Sequence, residues 1–437
     1  MIQKPKGTYD VFDKKGKTIL EIEKLIKVLM EKYNYNYVRT PIFESSELFH
    51  RGVGDTTDIV TKETYDFIDR GERKMTLRPE GTAGVVRSYI ENKMYANSGT
   101  TKTWYYGPMY RYERPQSGRF REFYQFGVEV FGSNSPLIDA EVISIPVNFY
   151  KLLGLKGIKV NINSLGDMES RNNYREALKK YFEPHLDLLC DDCKERFNKN
   201  PLRIIDCKYD ANLDIIKNAP RIIDYLNEES KKHFEEVKKY LDAMGIEYEV
   251  NPNIVRGLDY YTHTVFEVEA NVEGFGAQNV LCGGGRYDNL VETIGGPSTP
   301  GVGFALGLER LLTALEFENI DLVDENNLDI FIIPMNTDEY SISLGNILRM
   351  NGFNVEVDFN SRKIGNSFKQ ADRLGAKYII IIGEDEVNNK VLTIKDNKTK
   401  EEYKIEEEKL IEFFDEMIEE NDWWRTKRIW WLYWSRR

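Results

Sequence analysis

Residues 104–132, WYYGPMYRYERPQSGRFREFYQFGVEVFG, constrain the possible fold more than any other segment of the chain. Two strand-like stretches flank the loop PQSGRFR, which contains turn-forming and basic residues. This pattern predicts an antiparallel hairpin with a long basic tip. Successive side chains of a strand point to opposite faces, so Tyr124, Phe126, Val128 and Val130 of the second arm are predicted to face a core.

The opposite face of this hairpin carries polar side chains. In the second arm Gln125 and Glu129 lie on it with Gly127 between them, and Arg111 and Glu113 share a face of the first arm. A solvated sheet face is the ordinary interpretation of such charges. However, a glycine inside a strand weakens the strand and often marks the close approach of a ligand. We therefore expect a binding surface here.

Aromatic and basic residues indicate what this surface binds. Phe123 offers a plane on which a base could stack, and Arg111 with the loop residues Arg114, Arg119 and Arg121 could hold phosphates through forked hydrogen bonds. The glycine-rich stretches GGGRYD and GVGFALGLER have neither phosphate-loop nor dinucleotide-fingerprint spacing. The sequence thus predicts a nucleotide held by arginines on an antiparallel sheet, beside a small polar substrate.

The segment RGLDYYTHTVFE, residues 256–267, poses a related question. A strand opens here with Arg256, Asp259, Tyr260 and Tyr261, which are costly to bury without partners. Either the first turn lies in water or it forms a pocket wall that reads a polar ligand, and the segment alone leaves both open.

Composition limits the class of protein. Of the 437 residues, 41% are hydrophobic and 30% are charged, as in a soluble globular protein of two or three domains. The start has no apolar signal region and no segment approaches the roughly 20 apolar residues of a membrane helix, so a cytoplasmic protein is expected. The net charge of −12 argues against bulk electrostatic binding of nucleic acid but leaves a local basic face possible.

The cysteines form no disulfide framework. Cys190, Cys193 and Cys207 follow the pattern C-x2-C-x13-C, with His185 upstream. A zinc site would want a fourth ligand and usually a second close pair, and nothing after Cys207 supplies one. The prediction is therefore small buried thiols and no bound metal, with a structural zinc as the minor alternative.

Periodicity divides the chain. Residues 14–33 predict an amphipathic helix, and YVRTPIF at 37–43 predicts a strand interrupted by Pro41 at an edge or interface. Residues 168–250 predict a helical insertion. Beyond residue 325, short apolar strands alternate with helical stretches, the last of them at 405–420, which is typical of a small α/β domain.

Together these segments resemble class II aminoacyl-tRNA synthetases. The hairpin with Arg111 and Glu113 resembles their motif 2, GVGFALGLER resembles motif 3, and NYNYVRTPIFESSELF resembles motif 1. TLRPEGTAGVVR, RGLDYY and GGGRYD resemble the signature segments of the histidyl-tRNA synthetase family, in the family's order. The resemblance extends from KPKGTYD near the start into the C-terminal α/β domain.

The resemblance implies an α+β fold, with a class II antiparallel-sheet catalytic domain over residues 1–325 and a helical insertion at about 168–250. An α/β anticodon-binding domain over 326–421 follows. The implied activity is ATP-dependent ligation of L-histidine to its tRNA through histidyl-adenylate, with Mg²⁺ accompanying ATP. Motif 1 implies a homodimer.

The family's functional residues transfer to matching positions of this chain. Those implied for histidine are Glu80, Gly81, Thr82, Arg111, Gln125, Glu129, Arg256, Tyr260 and Tyr261. Those implied for ATP are Arg111, Glu113, Arg119, Arg121, Phe123 and Arg310. Glu129 and Tyr261 would read the imidazole nitrogens, Phe123 and Arg310 would enclose adenine, and Arg111 and Arg256 would be catalytic.

Two further predictions concern one face of a helix in the C-terminal domain and the orientation of one histidine. On a helix within SRKIGNSFKQADRLGAK, a basic stripe of Arg362, Lys369 and Arg373 would contact tRNA, with Gly375 ending the helix. His263 is predicted to be a solvent-facing strand residue without a catalytic role.

Other interpretations stay open. One is a non-catalytic relative, either a regulatory subunit of histidine biosynthesis or a sensor of uncharged tRNA; such relatives tend to lose substrate arginines or the anticodon domain. Another is a class II synthetase for a different amino acid. Residues 422–437 hold five of the six tryptophans and are expected to belong to neither fold nor mechanism, with a membrane-interface anchor or partner peptide as the alternative.

Overall fold

The computed structural model describes residues 1–53, 60, 62–97, 99–115, 118–205, 207, 209–254, 260–271, 279–323, 328–360 and 363–418. The chain divides into two compact units. The first consists of Met1–Phe12 and Ile19–Asp321, and the second begins at Leu322 and also takes in Asp13–Thr18. The domain boundary predicted after residue 325 and the tail at 422–437 lie outside the described residues.

Strands of the first unit form two sheets. They are β1 (Asn36–Tyr37), β2 (Phe43–Ser45), β3 (Tyr65–Ile68), β4 (Lys74–Leu77), β5 (Thr101–Tyr110), β6 (Glu122–Phe131), β7 (Ile158–Ser164), β8 (Tyr248–Val250), β9 (Thr262–Ala270), β10 (Val280–Arg286) and β11 (Gly301–Gly307). The larger sheet has the order β1-β5-β6-β11-β10-β9-β7-β8 and the smaller β2-β4-β3. Neighbours are antiparallel except at the two edges of the larger sheet, where β1 and β8 run parallel to β5 and β7.

The predicted hairpin is confirmed. β5 and β6 pair without interruption from Thr101 opposite Phe131 to Tyr110 opposite Glu122. Phe126, Val128 and Val130 are buried, as the alternation predicts. The hairpin therefore presents its other face as the floor of a site.

Helices connect the strands of this unit between residues 13 and 317. They are Asp13–Lys32, Ser46–Val53, Thr82–Glu91, Pro136–Leu153, Met168–Phe182, Asp191–Lys199, Leu202–Ile205, Asp214–Lys217, Glu228–Ala243, Leu290–Ile294 and Leu308–Phe317, with 3-10 turns at Met94–Ala96, Glu183–Leu188 and Ile222–Tyr225. The first confirms the helix predicted at 14–33, and it buries Ile22, Ile26 and Leu29 along one stripe.

The single strand predicted at 37–43 is wrong. β1 ends at Tyr37 and β2 begins at Phe43 in the other sheet. Pro41 cannot donate to a ladder, and the chain leaves the first sheet before it. The intervening Thr40 instead accepts hydrogen bonds from the buried guanidinium of Arg78 through its carbonyl (3.0 Å) and hydroxyl (3.1 Å).

The insertion predicted at 168–250 is helical as far as Ala243. Its two longest helices begin with side-chain caps: Asp167 accepts from the Ser170 amide, and Asn227 accepts from the Ser230 amide. The Asn227 side chain also donates to Asp167 (2.7 Å), which joins the two helix starts. Residues 248–250 are not helical, because they form β8 beside β7.

The second unit is a five-stranded sheet covered by helices. Its strands are β12 (Ile330–Pro334), β13 (Val355–Val357), β14 (Tyr378–Ile382), β15 (Val391–Asp396) and β16 (Glu402–Glu406), in the order β13-β12-β14-β15-β16. Its helices are Asp338–Met350, Ile364–Arg373, Glu384–Asn389 and residues 410–418, with a 3-10 turn at Glu407–Lys409. β12, β13 and β14 are parallel, whereas β15 and β16 are added antiparallel. The α/β architecture predicted for this part of the chain is confirmed.

The helix predicted at 405–420 starts later than expected. The charged segment EYKIE pairs with β15 as β16, and the α-helix begins only at residue 410. Among the described residues, no helix is long and apolar enough to cross a membrane.

Candidate active site

A cavity of about 520 Å³ lies on the polar face of the larger sheet. Strands β6, β10 and β11 and the hairpin tip contribute to its wall. The predicted site residues that line it are Glu80, Thr82, Arg111, Glu113, Arg119, Phe123, Gln125, Tyr260, Tyr261 and Arg310. Residues far apart in the sequence therefore line one cavity.

Glu80 lies at the start of the helix Thr82–Glu91. Its carboxylate accepts hydrogen bonds from the amides of Thr82 (2.7 Å) and Ala83 (2.8 Å). Burial raises the pKa of Glu80, although these amide donors act in the opposite direction. Gly81, the N-cap residue between Glu80 and this helix, does not line the cavity. A Cβ at Gly81 would overlap the ring of Tyr105. Its role is to let the helix start approach β5.

Glu129 lies beneath the cavity floor and is 1% exposed. Its carboxylate accepts hydrogen bonds from the Thr82 hydroxyl (2.6 Å) and from the hydroxyl of Tyr287, which lines the cavity. Burial, assisted by the charge of Glu80, raises the pKa of Glu129 to about 8, although the hydrogen bonds from the two hydroxyls act to lower it. Since Thr82 donates to both Glu80 and Glu129, the two acids form one connected network.

The space at Gly127 is taken by a side chain of the protein and not left for a ligand, so interpreting this glycine as a mark of close ligand approach is wrong. In the antiparallel register Gly127 lies opposite Tyr105, and a Cβ at Gly127 would overlap the Tyr105 ring. Gly303 has a similar role, because a Cβ there would overlap the carboxylate of Glu129. These glycines accommodate the residues that build the floor.

Three arginines line the same cavity. Arg111 donates from Nε to the Pro79 carbonyl (2.8 Å), and its guanidinium lies 5.2 Å from the centre of the Phe123 ring. Arg119 bonds to Glu113 at 3.3 Å, and Arg310 donates to the Val280 carbonyl at 2.8 Å. The protein itself thus orients each guanidinium, which suits the binding of a polyanion.

Besides Gly81 and Glu129, the predicted contacts Arg121 and Arg256 are not among the described residues that line this cavity. The Arg121 guanidinium lies 4.0 Å from the Tyr112 ring centre, and its Nε donates to the Glu113 carbonyl, so Arg121 supports the hairpin tip rather than lining the cavity. Arg256 lies outside the described residues.

The sequence reasoning missed three residues. Tyr287 bonds to Glu129, Tyr105 fills the space over Gly127, and Glu309 lines the cavity while accepting from the Tyr9 hydroxyl and the Tyr124 amide. Tyr287 belongs to the GGGRYD segment already singled out, and Glu309 belongs to GVGFALGLER. Tyr287 and Glu309 could therefore have been proposed from motifs that had already been identified.

The prediction that His263 faces solvent is wrong. Its side chain is 18% exposed, and its Nδ1 is buried without a hydrogen-bond partner among the described residues. The pairing of β9 with β10 shifts register between Gly285 and Arg286, so counting alternate residues past this bulge fails. The His263 ring lies 5.2 Å from that of His233, and burial lowers the pKa of His263.

Comparison with known proteins gives the family. Residues 7–311 match the family described as Histidyl-tRNA synthetase, and residues 329–417 match the one described as Anticodon binding domain. The chain belongs to the histidyl-tRNA synthetase family. The fold class and the resemblance predicted from the motifs are confirmed.

Individual relatives agree with this assignment. The histidine–tRNA ligase of Bacillus licheniformis is 51% identical over 412 residues, which cover 94% of this chain and 97% of that protein. A histidine–tRNA ligase of Staphylococcus aureus is 53% identical over 95% of this chain and 100% of its own length. The crystal structure of apo S. aureus histidyl-tRNA synthetase has a TM-score of 0.82, at 47% identity over 95% of this chain and 100% of that one.

The basic stripe is only partly described. The helix Ile364–Arg373 carries the exposed Lys369 and Arg373 on one face and is followed by Gly375 at φ +66°, as predicted. Its first residue follows the N-cap Lys363, and Arg362 lies outside the described residues. Within this helix the stripe therefore consists of Lys369 and Arg373.

The expectation that no fourth ligand follows Cys207 is wrong. The ligand atoms of Cys190, Cys193, Cys207 and Asp210 all lie within 4.8 Å of one another. Asp210 was missed because a single aspartate has no distinguishing sequence pattern, and only the fold brings its carboxylate to the thiols.

Proposed function

We propose that the cavity on the larger sheet activates L-histidine with ATP and that the chain then transfers the histidyl group to tRNA. The single observation that carries this proposal is the meeting of two chemically different halves in one cavity. One half is lined by Glu80 and tyrosines, with Glu129 bonded to them just beneath the floor, and arginines beside an aromatic ring form the other. Family membership supports the same activity.

The acidic half suits histidine. The α-ammonium would bind beside Glu80, Thr82 and Gln125, whose Oε1 is buried and has no hydrogen-bond partner among the described residues. The imidazole would lie over Glu129 and Tyr261. A ligand with donors at both ends would form further hydrogen bonds to these groups, whereas an apolar analogue would offer them none.

The basic half suits ATP. Arg111, Arg119 and Arg310 would hold the phosphates and the adenine, with Phe123 providing a stacking plane. Glu113 lines the same cavity, 3.3 Å from Arg119 and 3.8 Å from Arg111, and its carboxylate is the type of ligand that would hold a Mg²⁺ accompanying ATP. The Mg²⁺ would supply neutralisation of phosphate charge.

Positioning and electrostatics then account for the chemistry. The histidine carboxylate attacks the α-phosphorus and pyrophosphate leaves; the terminal ribose hydroxyl of tRNA next attacks the carbonyl carbon, and AMP leaves. Arg111, together with the predicted Arg256, would stabilise the charge that develops at the α-phosphoryl group. No covalent bond to the enzyme is required.

The wider assignments rest on the family and on local charge. The second unit would bind tRNA through its basic stripe, because phosphate contacts need a local patch rather than a positive net charge. Residues 34–49 would build a homodimer interface, and the protein would work in the cytoplasm.

The decisive experiment is ATP–pyrophosphate exchange with each amino acid in turn. We expect exchange that depends on histidine, followed by charging of histidine tRNA. Exchange with another amino acid would indicate a different class II synthetase. No exchange with any amino acid would favour the non-catalytic regulatory subunit or uncharged-tRNA sensor.

A further inference from the structure

The helical insertion contains a compact set of metal-ligating atoms remote in sequence from the active-site motifs. Cys190 is the N-cap of the helix Asp191–Lys199, and Cys193 lies in the first turn of that helix. Cys207 and Asp210 follow the next short helix. The pattern is therefore C-x2-C followed by C-x2-D, which supplies the second close pair that a four-ligand site requires.

The spacing of these atoms fits a tetrahedral site. Four ligands about 2.3 Å from a zinc ion lie about 3.8 Å from one another. The sulfurs of Cys190 and Cys207 are 3.7 Å apart, and no pair of ligand atoms in the set exceeds 4.8 Å. A disulfide requires about 2.05 Å between its sulfurs, so Cys190 and Cys207 are not bonded to each other. The four ligand atoms are instead arranged around a common centre.

The surroundings also resemble a structural metal site. Cys193, Cys207 and Asp210 are buried, and the three cysteines pack within the hydrophobic cluster of the insertion. The Cys190 amide donates to Asp210 Oδ2 at 3.1 Å, which holds the carboxylate towards the thiols.

We propose that Cys190, Cys193, Cys207 and Asp210 bind one structural Zn²⁺ ion. Three thiolates and one carboxylate suit a borderline-soft cation with tetrahedral preference, and four protein ligands leave no open position for catalysis. The ion joins the start of the helix Asp191–Lys199 to the segment that contains Cys207. Nothing in this inference depends on the proposed ligase activity.

Metal analysis of the full-length protein, purified without chelators, tests the proposal. We expect about one zinc per chain, and at least a tenfold loss of bound zinc in Cys193→Ser and in Cys207→Ser. Cys282→Ser and Asp191→Asn are matched controls outside the set, and both should keep their zinc. Wild-type protein that takes up neither Zn²⁺ nor Co²⁺, or that contains a Cys190–Cys207 disulfide by mass spectrometry, would overturn the proposal.

A second measurement remains informative if a serine variant fails to fold. Asp210→Cys should still bind one Co²⁺, and its sulfur-to-cobalt charge-transfer absorption should exceed that of the wild type by about a third, because four thiolates replace three. An unchanged absorption would show that residue 210 is not a ligand and would overturn the four-ligand site.

Discussion

Replacing Glu129 by glutamine should remove a pH dependence of stability that one buried acid produces. Glutamine keeps the shape of the side chain between Thr82 and Tyr287 but cannot ionise. The pKa of Glu129 is raised from 4.5 to about 8 in the folded protein, chiefly by burial. Between about pH 4.5 and pH 8, Glu129 therefore keeps its proton in the folded protein and loses it in the unfolded chain.

The sign and size follow from proton linkage. Because the folded state binds more protons, the free energy of unfolding of the wild type falls as pH rises between about 4.5 and 8. A shift of one pKa unit corresponds to about 1.4 kcal/mol, so the contribution of Glu129 reaches at most about 5 kcal/mol. The Glu129→Gln variant lacks this loss and should gain stability relative to the wild type as pH rises.

Thermal unfolding of both proteins, without substrates, between pH 5 and pH 9 is the appropriate assay. The difference in Tm, variant minus wild type, should increase up to about pH 8 and then level off. Glu229→Gln makes the same chemical change at an exposed position and should show no such trend. Parallel profiles for wild type and Glu129→Gln would mean that Glu129 is already ionised at pH 5, and the reasoning would be refuted.

The remaining predictions concern catalysis, tRNA, assembly and the tail. Arg256→Ala should lower histidine-dependent exchange by about two to three orders of magnitude with an unchanged circular dichroism spectrum; near-normal exchange would show a misassigned role. Reversal of Arg362, Lys369 and Arg373 to glutamate should weaken tRNA charging and its salt dependence but spare exchange, and an equal loss of both would contradict the domain assignment. Light scattering should show a dimer, whereas a mass near 51.0 kDa at micromolar concentration would exclude it. Truncation after Asn421 should leave aminoacylation unchanged with equal or better solubility, and loss of charging would make the tail a working part.

Local sequence patterns predicted the helices and strands whose apolar residues recur at a regular spacing. Alternation along residues 122–131 identified the core-facing side chains of β6, and helical spacing identified the helix at 14–33. Each of these patterns depends only on how a single strand or helix packs against the hydrophobic core. The EYKIE segment has the same charged composition as the helix that follows it, and only pairing with β15 makes it a strand. His263 lies at a bulge, where counting alternate residues loses its meaning.

The candidate site shows the same limit. Motif resemblance brought together residues that do line one cavity, including Arg111 and Gln125. It could not show that Tyr105 occupies the space over Gly127, since that depends on cross-strand register. Asp210 has no distinguishing pattern of its own, and its importance follows only from the three thiols that the fold places beside it.

The place of the helical insertion between β7 and β8 bears on how such a chain can change over evolution. Two neighbouring parallel strands always need a crossover connection of a dozen or more residues, and the helix Glu228–Ala243 can serve as that crossover. The residues before it enlarge a connection that the topology requires anyway. Doubling the length of a flexible connection adds only about 0.6 kcal/mol of closure entropy. The strand order that supports the cavity therefore sets a minimum length for this connection but no maximum.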